Sequence, residues 1–222
     1  MSSFPPHYIH QILPILIFIV LLQYYHSTSI SASRTLLDIN PKGDDQNCTT
    51  DFVRQSCNNT TYPDLCYSTL SIYANRIQNN PKELACAALN ATVSEAQVAS
   101  RVIKAKGRQA KGNNTTTKGK RGAYAMKDCM ELLKDAFDEL KMSVEEMERA
   151  SPEASDFRFR VNNVQTWVSA ALTDDDTCTD GLEQGEKNTE DYKRIRDEVV
   201  KVAHLTSVAL ALINNYAATV NL

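Results

Sequence analysis

Along the last two thirds of the chain apolar residues recur at three- and four-residue steps, the period of helices that bury one face. The organising stretch is T-W-V-S-A-A-L-T-D-D-D-T-C-T-D-G, Thr166 to Gly181; with Val161 and Val164 just ahead of it, Val168, Ala171 and Leu172 form an apolar stripe, and Asp174 to Asp176 read as the end of that helix. Upstream, Ala123 to Arg149 sets Cys129, Leu132, Leu133, Ala136, Phe137 and Leu140 on one side at about 100° per residue. Pro81 to Lys106 sets Leu84, Ala87, Ala88, Ala91, Val98, Val102 and Ile103 on an alanine-rich side that lets a neighbouring helix come close. Downstream, Glu190 to Tyr216 turns Ile195, Val199, Val202, Leu205, Ala209, Leu212 and Ile213 inward. Pro81 suits a first helical turn, where a missing N–H is no loss, and Ser151 of S-P-E reads as an N-cap. Asp51 to Asn80 gives shorter pieces, broken at N-N-T-T-Y-P, which are not stable alone. No segment alternates as a strand would. The pattern therefore predicts an all-α fold, an antiparallel four-helix bundle over residues 81–222 preceded by a short N-terminal α-hairpin over residues 49–80.

The polar segments divide the rest. Residues 34–48 read as a flexible leader, and Gly107 to Gly122, with four glycines and no apolar anchor beyond Ala110, reads as a mobile loop. Between Arg101 and Arg121 there are eight basic residues and no acidic one, in a chain whose net charge is −3. Such a segment can touch a polyanion, so contact with an acidic polysaccharide or a negative protein surface is one function to carry forward, against the plainer reading of a solvated loop.

Met1 to Ser33 holds no Lys, Arg, Asp or Glu, and its apolar run Ile12 to Leu22 is 11 residues, short of the roughly 20 that span a bilayer. Followed by Ser31-Ala32-Ser33, it reads as a signal peptide over residues 1–33, so the mature chain is expected outside the cell and off the membrane. That compartment makes Cys48, Cys57, Cys66, Cys86, Cys129 and Cys178 candidates for disulfides, with the connectivity open. Six N-x-S/T sites, at Asn47, Asn58, Asn59, Asn90, Asn113 and Asn114, agree with secretion, although Asn90 falls in a helical pattern and needs a solvent-facing side chain.

Catalysis has little to stand on. The mature chain has one histidine, His204, set among Val202, Ala203 and Leu205, where it reads as a helix residue with no catalytic part. The cysteines form no C-x-x-C pair, so neither a metal nor another cofactor is expected, and nucleic acid is no partner outside the cell. Trp167, the only tryptophan, reads as a core or rim side chain. On the Ala123 to Arg149 helix, Glu131, Asp135 and Asp138 fall within roughly 60° of one another, opposite the apolar side, as an acidic stripe with Lys127, Lys134 and Lys141 at its margin. Taken alone, such a stripe is a solvated face.

F-V-R-Q-S-C-N-N-T-T-Y-P-D-L-C, K-D-C-M-E-L-L-K-D-A-F-D-E-L, the Thr166 to Gly181 block and L-T-S-V-A-L-A-L-I-N-N together resemble the plant invertase and pectin methylesterase inhibitor family over residues 49–222. The block is more similar to the methylesterase inhibitors than to the invertase inhibitors. The resemblance implies a secreted, apoplastic cell-wall protein that is no enzyme itself and covers the pectin-binding cleft of pectin methylesterase in a one-to-one complex; an invertase is the alternative target. It implies disulfides Cys57–Cys66 and Cys129–Cys178, leaving Cys48 and Cys86 unassigned. By the same resemblance Glu131, Asp135, Asp138, Thr177 and Asp180 lie at the contact with the enzyme.

Overall fold

The computed structural model describes residues 44–110, 117–183 and 190–220, the backbone alone at 44–48, 106–110, 117–120 and 191. Among them are seven α-helices and no strand: α1 Asp44–Cys57, α2 Pro63–Leu70, α3 Ala74–Ile77, α4 Pro81–Ala110, α5 Thr117–Arg149, α6 Phe157–Glu183 and α7 Glu190–Thr219, with a 3-10 turn Ser71–Tyr73 between α2 and α3. Each long helix packs on two others, closing a ring in the order α4, α5, α6, α7. Links too short for a crossover make successive helices antiparallel.

The stripes named above meet inside that ring. Ile103, Leu133, Leu140, Val168, Val199 and Leu212 are each at most 2 % exposed. Removing two methyl groups from such a site loses transfer free energy and leaves a cavity, so Val168→Ala is expected to cost about 2 kcal/mol in denaturant unfolding. Phe159→Ala, by contrast, changes a side chain 66 % exposed and should stay within about 0.5 kcal/mol.

The hairpin is held by chemistry as well as by packing. Val53, Leu70 and Ile77 are buried beneath it, and Cys57 and Cys66 are bridged across the N-N-T-T-Y-P break with their Cα atoms 5.5 Å apart. Tyr62, inside that break, stacks on His204 of α7 with ring centroids 3.8 Å apart, and the Arg54 guanidinium sits 3.8 Å over the Tyr67 ring. His204 is thus a partly buried packing residue whose pKa burial lowers. Gln78 and Asn79 have φ of 46° and 60°, the left-handed geometry that ends α3. Asn80 then accepts the Lys82 N–H at 2.9 Å on its side-chain oxygen, capping α4 with Pro81 in the first turn.

Several boundaries differ from the sequence reading. Helix α6 does not end at Asp174–Asp176 but continues to Glu183, because Asp175, Cys178 and Leu182 extend its buried stripe at the same spacing. Ser151 does not cap α6. The chain passes 151–156 in successive tight turns, Ala154 N–H to the Ser151 carbonyl and Phe157 N–H to the Ala154 carbonyl, and the helix starts at Phe157. The span 107–122 is largely helix: α4 runs to Ala110 and α5 starts at Thr117, with 111–116 outside the described residues. Adding a residue to a formed helix costs far less than starting one, which lets the glycines be absorbed. Helix α1 likewise begins at Asp44, within the span read as leader.

Candidate functional site

Helices α5 and α6 form a pair joined near both ends. At one end Cys129 and Cys178 are disulfide-bonded, their Cα atoms 4.4 Å apart. At the other, Glu146 of α5, nearly buried, accepts from Arg160 at 3.1 Å and from Asn163 at 3.2 Å, both on α6. Asp156 holds the same guanidinium from the start of the helix. A covalent bond and a charge-assisted network thus fix the relative position of the two helices.

Beside the disulfide an open groove of about 390 Å³ is lined by Arg121, Asp128, Cys129 and Leu132 from α5 and by Thr177 and Cys178 from α6, among others. Thr177 and Asp180 are exposed and, three residues apart, share one helix face. On α5 the side chains of Glu131, Asp135 and Asp138 are 66, 66 and 56 % exposed, and their helical positions lie just outward of the groove-lining Asp128 and Leu132. Of the five residues read from the sequence, Thr177 lines the groove, whereas Glu131, Asp135, Asp138 and Asp180 lie outside its lining on the same two helices. Lys127 pairs with Glu131 at 3.2 Å and Lys134 with Asp138 at 3.1 Å, contacts between exposed groups that are easily exchanged for a partner's.

The sequence reading missed the carboxyls at the seam itself. Burial first, and then the nearby charge of Asp135, raises the pKa of Asp174 on α6; burial, Asp174 and Asp135 in that order raise that of Glu139 on α5. The available signal was the four-residue step from Ala171, which puts Asp175 on the buried stripe if the helix continues and Asp174 at its edge. Arg121 was also missed, because the span before Ala123 read as loop, and Asp128, although on the helix read from the sequence, was not singled out beside the acidic stripe.

The remaining candidates fall elsewhere. Asn58 and Asn59 are exposed at the hairpin break, and Asn90 is exposed on α4, its amide donating to the Cys86 carbonyl at 2.8 Å. The side chains of Asn47, Asn113, Asn114 and Cys48 lie outside the described residues. Cys86 is a free, half-buried thiol, and burial pushes its pKa up to about 11, which leaves it a poor nucleophile. Trp167 is half-buried at the rim of α6. Among the described residues there is no group of three or more His, Cys, Asp or Glu that could hold a metal, and no helix long and apolar enough to cross a membrane.

Comparison with known proteins agrees with the fold. A crystal structure of a mutant form of a pectin methylesterase inhibitor from Arabidopsis superposes with a TM-score of 0.54 over 71 % of this chain and 92 % of that one; at 20 % identity this speaks for the fold alone. By sequence, the chain is 43 % identical over 172 residues to the 21 kDa protein of Daucus carota, covering 75 % of this chain and 84 % of that protein. It is 43 % identical over 170 residues to pectinesterase inhibitor 9 of Arabidopsis thaliana, covering 75 % and 80 %. Residues 51–212 match the profile of the plant invertase/pectin methylesterase inhibitor family, and with helices, disulfides and relatives in agreement, the chain belongs to that family.

Proposed function

We propose that this protein is a secreted inhibitor of pectin methylesterase that lays the α5–α6 face over the enzyme's pectin-binding cleft in a one-to-one complex, with Glu131, Asp135, Asp138, Thr177 and Asp180 at the contact. What supports this reading is an exposed acidic stripe on α5 and an exposed Thr177–Asp180 face on α6, two helices bridged by Cys129–Cys178, in a chain 43 % identical to a protein named a pectinesterase inhibitor. Because α5 and α6 are fixed to each other by the disulfide and the Glu146–Arg160 pair, little conformational freedom is lost on docking, which favours tight association. Inhibition then needs only exclusion of pectin. No bond is made or broken.

The apoplast is mildly acidic, and methylesterase activity releases further carboxyl groups. Where the inhibitor's carboxyls meet those of the enzyme, a proton shared between two of them supports the complex, and Asp174 and Glu139, already raised by burial, are the nearest groups able to hold one. Proton uptake on binding makes affinity fall as pH rises.

The target is settled by running the purified mature protein in two assays side by side: methanol release from esterified pectin by plant methylesterases, and sucrose hydrolysis by cell-wall and vacuolar invertases. Slowing of the first alone is expected. Slowing of the second alone would transfer the role to invertase. If neither changed while a pectate matrix retained the protein through the Arg101 to Arg121 segment, a wall-binding role would replace inhibition.

A further inference from the structure

Asp175 stands in the interior of the bundle, 0 % exposed, on the side of α6 that packs against α7. Its Oδ2 lies 2.9 Å from Thr206 Oγ1 on α7, and its Oδ1 has no hydrogen-bond partner. The Thr206 hydroxyl is also 2.9 Å from the Val202 carbonyl oxygen. A hydroxyl has one proton to give, and a carbonyl can only accept. When Thr206 donates to Val202, the proton between Oδ2 and Oγ1 must come from the carboxyl.

Among the groups acting on Asp175, only the Thr206 hydroxyl favours a negative charge there. Those acting on it are Asp174 and Asp176 from its own helix and Glu139 from α5, all acidic, and Thr206 from α7, which is neutral. Glu139 has a buried Oε2 without a partner of its own. No charged side chain of α7 is among the groups acting on Asp175; the basic ones nearest Thr206 in sequence are paired or stacked, Lys201 with Glu95 of α4 at 2.9 Å, Arg196 with Glu183, and His204 on Tyr62 beside Asp176. An ionised carboxylate in this position would be buried with at most one neutral donor, a strongly unfavourable arrangement.

We propose that Asp175 is a protonated, neutral carboxyl that donates to Thr206, and that this proton makes the packing of α6 on α7 dependent on acid. The direction of titration agrees: burial first, and then the acidic neighbours, raises the Asp175 pKa to about 8, against the Thr206 contact, which pulls it down. In the unfolded chain the same carboxyl titrates near 3.9. A group whose folded value is raised gives its full stabilisation below the unfolded value and loses it as pH rises, here from about 4 to about 8. Thr177 and Asp180 follow on the same helix, so loosening of α6 would reach the docking face; that consequence rests on the proposed function, whereas the protonation does not.

The test uses the free mature protein, apart from any target enzyme. Unfolding is followed from about pH 4 to about pH 8 for wild type and Asp175→Asn, an amide that keeps size and donor. At the limit of one proton the folding equilibrium shifts tenfold per pH unit, so between pH 5 and pH 7 wild type is expected to lose about 100-fold more than the variant. Parallel profiles would overturn the proposal. Should the variant fail to fold, carboxyl-carbon NMR of wild type labelled at Asp reads the same proton directly. Asp175 is expected to stay protonated at about pH 6, when exposed aspartates have ionised, and its titration together with them would overturn the assignment.

Discussion

Replacing Glu131 with Gln and Asp135 with Asn in one chain is expected to weaken inhibition of a plant pectin methylesterase about 10- to 100-fold at mildly acidic pH, the range for hydrogen bonds to charged groups replaced by neutral ones. Both side chains are two-thirds exposed in the free protein, so the change should leave its folding nearly untouched. The pH profile carries the sharper expectation. Wild-type affinity falls as pH rises, because the complex holds a proton that the separated proteins do not; the double variant has fewer carboxyls to share it and shows a flatter slope. The gap between the two therefore narrows towards neutral pH. Dissociation constants measured across that range check it, and if neither affinity nor slope changed, the stripe would be a solvated face with the docking surface elsewhere on the bundle.

Removing the Cys129–Cys178 bridge by replacing both residues with Ala is expected to lower stability by about 4 kcal/mol, and removing Cys57–Cys66 by about 2.5 kcal/mol. The difference follows from loop length: the first bridge closes a separation of 49 residues and the second one of 9, and the longer loop restricts the unfolded chain more. The first loss is also the one that matters for inhibition, because that bridge floors the groove and fixes α5 on α6, whereas the second staples a hairpin that lies outside the docking face. Denaturant unfolding of the two double variants measures both values, and inhibition assayed where each remains folded should drop more for the first. Equal inhibition by the two would separate the bridge from the face.

Much of this was legible in the residues. Val161, Val164, Val168 and Ala171 announce a buried stripe by period alone, and Cys129 sits on the apolar side of its own helix. What the pattern concealed was Asp175. It occupies the next inward position after Ala171, yet its charge in water reads as a helix end, and only Thr206, 31 residues away in sequence, gives its buried oxygen a partner. Ser151 has the chemistry of an N-cap but not the location, because the 151–156 turns displace the helix start to Phe157. The acidic face was half legible. The spacing of Glu131, Asp135 and Asp138 gives a stripe, but periodicity on one helix cannot say which second helix lies beside it, and the disulfide that brings Thr177 alongside came from family resemblance. Asp174 and Glu139 escaped for the same reason: their raised pKa values arise from burial at a seam between two helices.

The central claim, that the α5–α6 face occludes the pectin site of a methylesterase, is tested most directly by steady-state methanol release over a series of pectin concentrations, with mature protein added up to and beyond equivalence with the enzyme. Occlusion predicts that, with the protein in excess of the enzyme so that binding does not deplete it, apparent KM rises in proportion to free inhibitor while kcat stays constant. Unchanged rates with several plant methylesterases at molar excess, or a fall in kcat with KM constant, would contradict it.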